Sequence, residues 1–505
     1  MTKDQLKLDS GMLQYAPKGA YYEDADEQFN RVMSMWTDLF NHDRALFCLT
    51  TLLGGTGFSK GAMTHMLLSN PVSTTGKELV PEGLAFDYES KVILYNLDKE
   101  RTPRALKNLL MLAGGEKHRR VNNNRTRRLI MEYIFNRDHD SLDNLAINYK
   151  GKLQKLIRHA LGKQDLFKIM NGDGTLFNKW VGRYHRNAFP VMCYLFNKEL
   201  PAGIVTAYYE KVDKVLKLRA AAQAGDVEAF TAAMKGLPRL TVMGYRNTYK
   251  IPVELDAVFK KSKMGGRQAL QMESAAKRQG VKLKVNYKKQ DIYDLWKALY
   301  FKLQTGELEN SEKIVDAIHH QSERKEKINI GKVTVVIDAT KSMQGSDKRP
   351  MHPFLTSLSI LSILDNIESV IYVGGKNIKV DETLSAVIPS GGSDLWRGLI
   401  DAVLTGAKKI LVISDGYENS PKGMFDHVYT HFKDSGYEFE LLHINPVFSA
   451  DSKEGSVRRL TEDTKPLPVT DYKFLETEII FNRMIENTEM VKQLLIGKYT
   501  KLIGG

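Results

Sequence analysis

The 505 residues are 42% hydrophobic and 26% charged, the balance of a soluble globular protein with length for two or more domains. Two cysteines, Cys48 and Cys193, exclude a cysteine-based zinc site and a disulfide framework, and they read as buried thiols of a reducing compartment. The net charge of +13 is uneven: residues 331–505 hold 20 Lys+Arg against 23 Asp+Glu, so residues 1–330 carry +16, which favours a polyanion, most simply nucleic acid, as their partner.

The opening MTKDQLKLDSG has no apolar signal-peptide core, and no apolar segment approaches the about 20 residues of a membrane span. A cytoplasmic chain without membrane contact, and a monomer, is expected. From about 24 to 325 the sequence reads as successive amphipathic helices. The first spans 28–40, with Phe29, Val32, Met33 and Trp36 near helical spacing. The next, at 106–113, follows the cap-like Thr102-Pro103. Residues 125–135 place Ile130, Tyr133 and Ile134 on one face, and Leu153, Leu156, Ile157 and Ala160 repeat that spacing further on. Helices at 188–196, 204–219, 227–234, 266–279 and 292–304 continue the series, and 310–331 reads as a last helix and a linker. The expected module, 1–325, is all-α, a stack of HEAT-like helical pairs without a demonstrable repeat period.

Three basic clusters fall within about seventy residues of this module. The window 117–128 contains Lys117, Arg119, Arg120, Arg125, Arg127 and Arg128 with no acid. Lys152, Lys155 and His159 lie at i, i+3 and i+7, opposite the apolar face, with Arg158 on the flank. Lys179, Arg183, His185 and Arg186 form the third group. Such side chains can track phosphates, and Trp180 and Tyr184 between them serve either as core or as platforms for unpaired bases. Asn171-Gly-Asp173-Gly174 is a poor calcium loop, because Arg183 stands where the twelfth ligand belongs.

The character changes at 332. Apolar strands at 333–337, 370–373, 409–413 and 439–444 alternate with helices at 354–367, after Asp394, at 421–434 and at 474–487. That alternation implies an α/β doubly wound domain over 331–505, its sheet mostly parallel, with ligands beyond the carboxyl ends of the strands. The first strand ends in Asp338-Ala-Thr340-Lys-Ser342, and two later segments read Gly391-Gly392-Ser393-Asp394 and Ser414-Asp415-Gly416. Asp338, Thr340, Ser342, Ser393 and Asp415 make an oxygen-only donor set suited to a hard divalent metal ion, Mg2+ first, with Mn2+ and Ca2+ as alternatives. Together the three segments resemble a von Willebrand A-type domain with a metal-ion-dependent adhesion site. No His/Asp/Glu cluster beside them suggests a general base, so no catalytic residue is assigned and the chain is not expected to be an enzyme.

A basic helical module followed by such a domain resembles the Ro autoantigen (TROVE-module) family of RNA-binding proteins. The match is best at the junction, where Asp294-Leu-Trp-Lys-Ala-Leu-Tyr-Phe-Lys-Leu-Gln-Thr305-Gly306 is similar to the family's last repeat helix and Ile314-Val-Asp316-Ala317-Ile318 to the helix before the A domain. Leu156-Ile157-Arg158-His159 is similar to a helix of the family's RNA-binding surface, with Arg125, Arg127, Arg128 and Tyr133 a looser likeness to an earlier one. Departures are Ser393 in place of the usual threonine, Thr340 where serine is common, and only Gly19-Ala-Tyr21-Tyr22 for the family's opening segment. The resemblance implies a ring of helical repeats closed by the A domain. Its outer surface would bind small structured noncoding (Y-like) RNA and its hole single-stranded 3′ ends of misfolded RNA, with an exoribonuclease as a further partner. The competing reading is a metal-dependent protein–protein adaptor, the partner of a MoxR-type ATPase or part of a larger assembly.

Overall fold

A computed structural model describes residues 25–53, 56–70, 82–115, 120–200, 210–278, 280–281, 283, 285–347, 349–379, 385–418, 421–447 and 458–504. The chain gathers into two compact units, one of residues 1–59 with 286–495 and the other of 60–285 with 496–505.

In the second unit every described element is helical. Short polar residues start the helices by taking an otherwise orphaned backbone N–H: Asn123 accepts from Thr126 N at 2.8 Å, Asp138 from Ser141 N at 2.9 Å, and Asp226 from Ala229 N at 2.9 Å. The helix Asn124–Phe135 buries Leu129, Ile130, Tyr133 and Ile134, the expected stripe. The next helix, His139–Met170, is longer than the periodicity suggests and bends twice, at Tyr149 and at Gly162, where φ is +75°. The helix expected at 106–113 starts earlier, at Thr102, ends at Leu110, and runs into a π-turn, Met111–Gly115. In a second π-turn, Asn178–Gly182, a Cβ on Gly182 would lie 2.6 Å from Asn178 Oδ1, so a side chain there would make Asn178 move. The helix expected at 204–219 is described as Glu210–Ala224, and 201–209 lie outside the described residues.

The first unit is built on strands β1 (Val333–Asp338), β2 (Gly345–Ser346), β3 (Arg349–Pro350), β4 (Ile367–Val373), β5 (Lys376–Lys379), β6 (Ser385–Ile388), β7 (Lys409–Ile413), β8 (Glu440–Asn445) and β9 (Leu467–Pro468). Five of them form one parallel sheet in the order β4-β1-β7-β8-β9. All six residues of β1 are buried, as a central parallel strand requires. Val333, Val335 and Ile337 join one core with Phe354, Leu355, Leu411 and Leu475, while Val336 joins the opposite one with Leu395, Leu399, Val412 and Phe425. The sheet is thus covered by helices on both faces. The pairs β2–β3 and β5–β6 are small antiparallel additions that the sequence pattern does not announce.

Two helices before the first strand belong to this compact unit. Ile292 and Tyr300, from the helix Ile292–Thr305, sit in the same core as β1, and Trp296 Nε1 donates to Ser362 Oγ at 3.1 Å. From the following helix, Ser311–Arg324, Ser322 Oγ donates to the Ser362 carbonyl at 2.6 Å. The change of composition at 332 marks where strands begin, and compactness groups the chain by other contacts. The N-terminal helices Ala25–His42 and Arg44–Thr50 lie in this unit too, and Lys492 reaches back to Asp43 at 2.5 Å.

Packing is closest where the helix Leu395–Leu404 crosses the sheet. A Cβ on Gly398 would lie 2.5 Å from Val373 Cγ2 and 2.7 Å from Val336 Cγ1. Both neighbours are β-branched and fixed in the sheet, so Gly398→Ala should destabilise the unit by about 1–3 kcal/mol, measured by urea unfolding. An unchanged midpoint would show that the helix lifts freely off the sheet.

Candidate metal centre and candidate nucleic-acid interface

The five oxygen donors expected at a metal site come from three loops at the carboxyl end of the sheet. Strand β1 delivers Asp338, which is fully buried, and Thr340 and Ser342 follow in the loop. That loop is stitched to the Gly391 loop: Ser390 N donates to the Ala339 carbonyl at 2.9 Å and Lys341 N to the Gly391 carbonyl at 3.2 Å. This brings Ser393 to the same end of the sheet. Beneath them Gly374 turns at φ +76°, where a Cβ would lie 3.0 Å from Thr340 Cγ2 and 3.2 Å from the Ser390 carbonyl. Strand β7 ends at Ile413, and Asp415 follows two residues on.

Hydrogen bonds link the donors other than Ser393. Asp338 Oδ1 accepts from Thr340 N at 2.9 Å and its Oδ2 from Ser414 Oγ at 2.7 Å. Thr340 Oγ1 and Ser342 Oγ are 3.1 Å apart, Ser342 donates to Asp415, and Asp415 Oδ1 also accepts from Tyr417 N at 3.0 Å. Burial pushes Asp338 up to about 6, and the neighbouring negative charge of Asp415 adds to this, against the hydrogen bonds from Thr340 and Ser414. Burial likewise pushes Asp415 up to about 6, against the Ser342 hydrogen bond and the Arg458 charge. The buried His443 sits with Nε2 3.1 Å from the Ser414 carbonyl, and burial pushes it down to about 4, so it stays neutral and offers no balancing charge.

Ser393 Oγ is buried without a hydrogen-bond partner. Two buried carboxylates and three hydroxyls, one of them orphaned, at one end of the sheet form a donor set whose chemistry fits a hard, oxygen-liganded ion. Among the described residues no three His, Cys, Asp or Glu side chains come together, so a site of softer or more acidic character has no candidate there. Ser414 and the glycine pair Gly374-Gly375 were missed as parts of this cluster. Ser414 sits inside the same strand-end motif, and only its bond to Asp338 reveals its place.

The basic residues belong to the second unit. Lys117 and Arg119 lie outside the described residues. Arg120, Arg128, Lys155, Arg158, Lys179, Arg183 and Arg186 are exposed, and among the described residues none of them makes an ion pair. Elsewhere in this unit surface lysines are paired one helical turn apart, as in Lys217–Asp213 at 2.6 Å and Lys260–Asp256 at 2.6 Å. Three elements carry these cations other than Arg120, the helices Asn124–Phe135 and His139–Met170 and the π-turn with its following residues, and they pack on one another. Arg158 lies over the Phe196 ring at 5.5 Å and Arg183 over Tyr184 at 5.0 Å, which stiffens both side chains.

Other members of the expected set are engaged or turned inward. Arg125 pairs with the buried Glu89 at 2.8 Å and donates to Ser90 Oγ at 3.1 Å. Arg127 holds Asn122 Oδ1 at 2.9 Å, and Lys152 is half-buried beside the Tyr149 ring. His159 is not on the polar face: it is buried, with Nε2 3.2 Å from the Val121 carbonyl, and burial lowers its pKa, so the ring is neutral. That carbonyl lets an imidazole take a core position. His185 is half-buried against His139 with its rings at 4.4 Å, and burial lowers its pKa as well. Trp180 is buried and Tyr184 half-buried.

Removing Arg125 leaves the Glu89 carboxylate buried without its cation. Arg125→Ala should therefore cost about 3 kcal/mol of stability, whereas Arg128→Ala, at an exposed unpaired site, should cost less than about 0.5 kcal/mol. Equal denaturation midpoints for the two variants would refute the assignment of Arg125 to the fold.

No family model matches the chain, and neither does any curated protein. Among solved structures the chain is similar to the crystal structure of the Deinococcus radiodurans RO (RSR) protein, at 11% sequence identity over 95% of this chain and 99% of that one, with a TM-score of 0.46. An overlap this loose transfers neither fold detail nor function from one protein to the other.

Proposed function

We propose that the chain is a non-enzymatic RNA-binding protein whose helical module holds structured noncoding RNA by its phosphates. The observation that carries this reading is the set of exposed cations between Arg120 and Arg186 that make no ion pair among the described residues. Unpaired cations close together on packed helices repel one another, and a polyanion relieves that repulsion while releasing its own condensed counterions. The neutral His159 and His185 do not add to that term. The net charge of +16 over 1–330 supports the same partner. The sequence resemblance to the Ro family adds the finer expectations: Y-like RNA, capture of single-stranded 3′ ends, an exoribonuclease partner, and a helical ring closed by an A-type domain.

In the α/β unit, Asp338, Thr340, Ser342, Ser393 and Asp415 would hold the divalent cation, with Mg2+ the best match to two carboxylates and three hydroxyls. A bound cation supplies an open coordination position to an anionic oxygen of a partner. The orphaned Ser393 hydroxyl favours, as a second reading, a metal-dependent adaptor that captures a partner's carboxylate through this site.

A salt titration tests the main reading. Full-length protein is mixed with a labelled hairpin RNA bearing a single-stranded 3′ tail, and retention is measured from low to high salt. The logarithm of affinity should fall linearly with the logarithm of salt, by about 0.7 for each single-strand phosphate neutralised. Absence of salt-dependent binding would reject the RNA reading and leave the adaptor.

A further inference from the structure

A cavity of about 830 Å3 lies in the second unit, between the helices His139–Met170, Glu210–Ala224, Arg239–Thr248 and Gly266–Arg278. Its lining includes Arg219, Arg239 and Lys263 but no Asp or Glu, and three tyrosines, Tyr149, Tyr245 and Tyr249. The volume is that of a site for a small organic ligand.

Arg239 is the informative residue. It is only 6% exposed, its buried Nε has no hydrogen-bond partner, and among the described residues its guanidinium makes no ion pair. Its guanidinium lies over the Phe259 ring, 5.0 Å from the centroid. A buried, unpaired guanidinium is costly unless an anion meets it. Arg219, at the exposed side of the cavity, is also without an ion pair. Lys263 has only a loose one, 3.8 Å to Asp140 with both side chains about three-fifths exposed, and a phosphate can replace it.

The aromatic wall asks for a different chemical group. Tyr245 and Tyr249, one helical turn apart, stack with an interplanar angle of 17° and centroids 6.4 Å apart, and Tyr249 stands exposed at the rim. Across the cavity the helix loses its regular geometry at Tyr149 (φ −131°, ψ 25°). A simple anion would use the cations and leave these faces idle. A planar base carrying a phosphate uses both.

We infer that this cavity seats one nucleotide, its phosphate on Arg219, Arg239 and Lys263 and its base against the Tyr245–Tyr249 pair, the nucleotide being an unpaired one in an RNA strand. This rests on the RNA-binding reading and adds to it a place where a single base is held. The cavity residues are separate from the exposed cations between Arg120 and Arg186, so the two can be tested apart.

The test uses full-length protein and three probes: a fluorescein-labelled uridine octamer containing 4-thiouridine, AMP, and inorganic phosphate. The octamer should bind, crosslink to the peptide carrying Tyr245 and Tyr249, and lose about tenfold in affinity in Tyr249→Ser and in Arg219→Gln. Both side chains are exposed, so these variants keep the fold, which circular dichroism checks; Arg239→Met is the harsher third variant. Lys155→Glu/Arg158→Glu should weaken overall binding and leave the crosslink where it is. If wild type binds the octamer and both exposed variants match it, the inference falls while the RNA reading stands. If wild type binds no RNA, the RNA reading falls. The cavity then stands as a free-nucleotide site only if AMP binds and the variants lose it. Phosphate competing as well as AMP would overturn the inference, since the base would contribute nothing.

Discussion

Reversing four charges on the helical module, Lys155→Glu/Arg158→Glu with Arg183→Glu/Arg186→Glu, should lower affinity for structured RNA by on the order of a hundredfold near physiological salt. It should also flatten the salt dependence, by roughly 3 in the log–log slope for four phosphate contacts. All four side chains are exposed and without ion pairs among the described residues, so the fold loses little. The slope is the sharper readout. A variant that had merely unfolded would bind nothing, whereas one lacking four contacts binds more weakly and responds less to salt. Unchanged affinity with an unchanged slope would place the RNA elsewhere.

The second large effect is expected at the carboxyl end of the sheet, where a metal ion should convert a burden into stabilisation. Asp338 and Asp415 are both pushed up to about 6, above the usual carboxylate range, so each binds its proton more tightly folded than unfolded. The contribution of these two groups to the stability of the metal-free protein should therefore be fullest below about pH 4, fall as pH rises toward about 6, and level off beyond. Saturating Mg2+ should reverse that loss above about pH 6, adding about 2.7 kcal/mol at a hundred times Kd, and its effect should fade at lower pH as protons compete for the oxygens. Asp338→Asn should abolish the Mg2+ effect and melt higher than metal-free wild type near neutral pH, because it removes one of two buried like charges. Thermal melts with and without Mg2+ read all of this. A melting temperature indifferent to Mg2+, Mn2+ and Ca2+ from about pH 5 to about pH 8 would remove the metal from the account.

The central sheet was legible because a buried parallel strand leaves an unbroken apolar run, as in Val333–Asp338, and the acid at its end marks the exit into a loop. The β5–β6 pair was not, since Lys376–Lys379 has the composition of a loop and becomes a strand only by pairing after the Gly374-Gly375 turn. The helix expected to end at 487 is followed by another, Thr488–Leu502, in which Met490 N donates to Asn487 Oδ1 at 3.0 Å. One residue type that ends helices also begins them. The donor set for the metal could be read because its members sit at strand ends in one topology. The roles of Arg125 and Arg239 could not: Glu89 lies 36 positions before Arg125, and the cavity around Arg239 is assembled from separate segments. Basic residues look alike in sequence, and only their neighbours distinguish a structural cation from a ligand-binding one.

The ion pair between Asp43 and Lys492 joins residues 449 positions apart within one compact unit. Such a unit cannot complete itself while the ribosome is still producing its later half. Its first helices can pack on one another early, through Phe29–Phe58 and Trp36–Phe47, but their tie to Lys492 must wait until nearly the whole chain has emerged. The second unit is contiguous from 60 to 285 and waits only for its short C-terminal segment, 496–505. The expected order of birth is therefore inverted: the middle of the protein should fold before its beginning, and chains stalled short of Lys492 should be the ones that chaperones and proteases recognise.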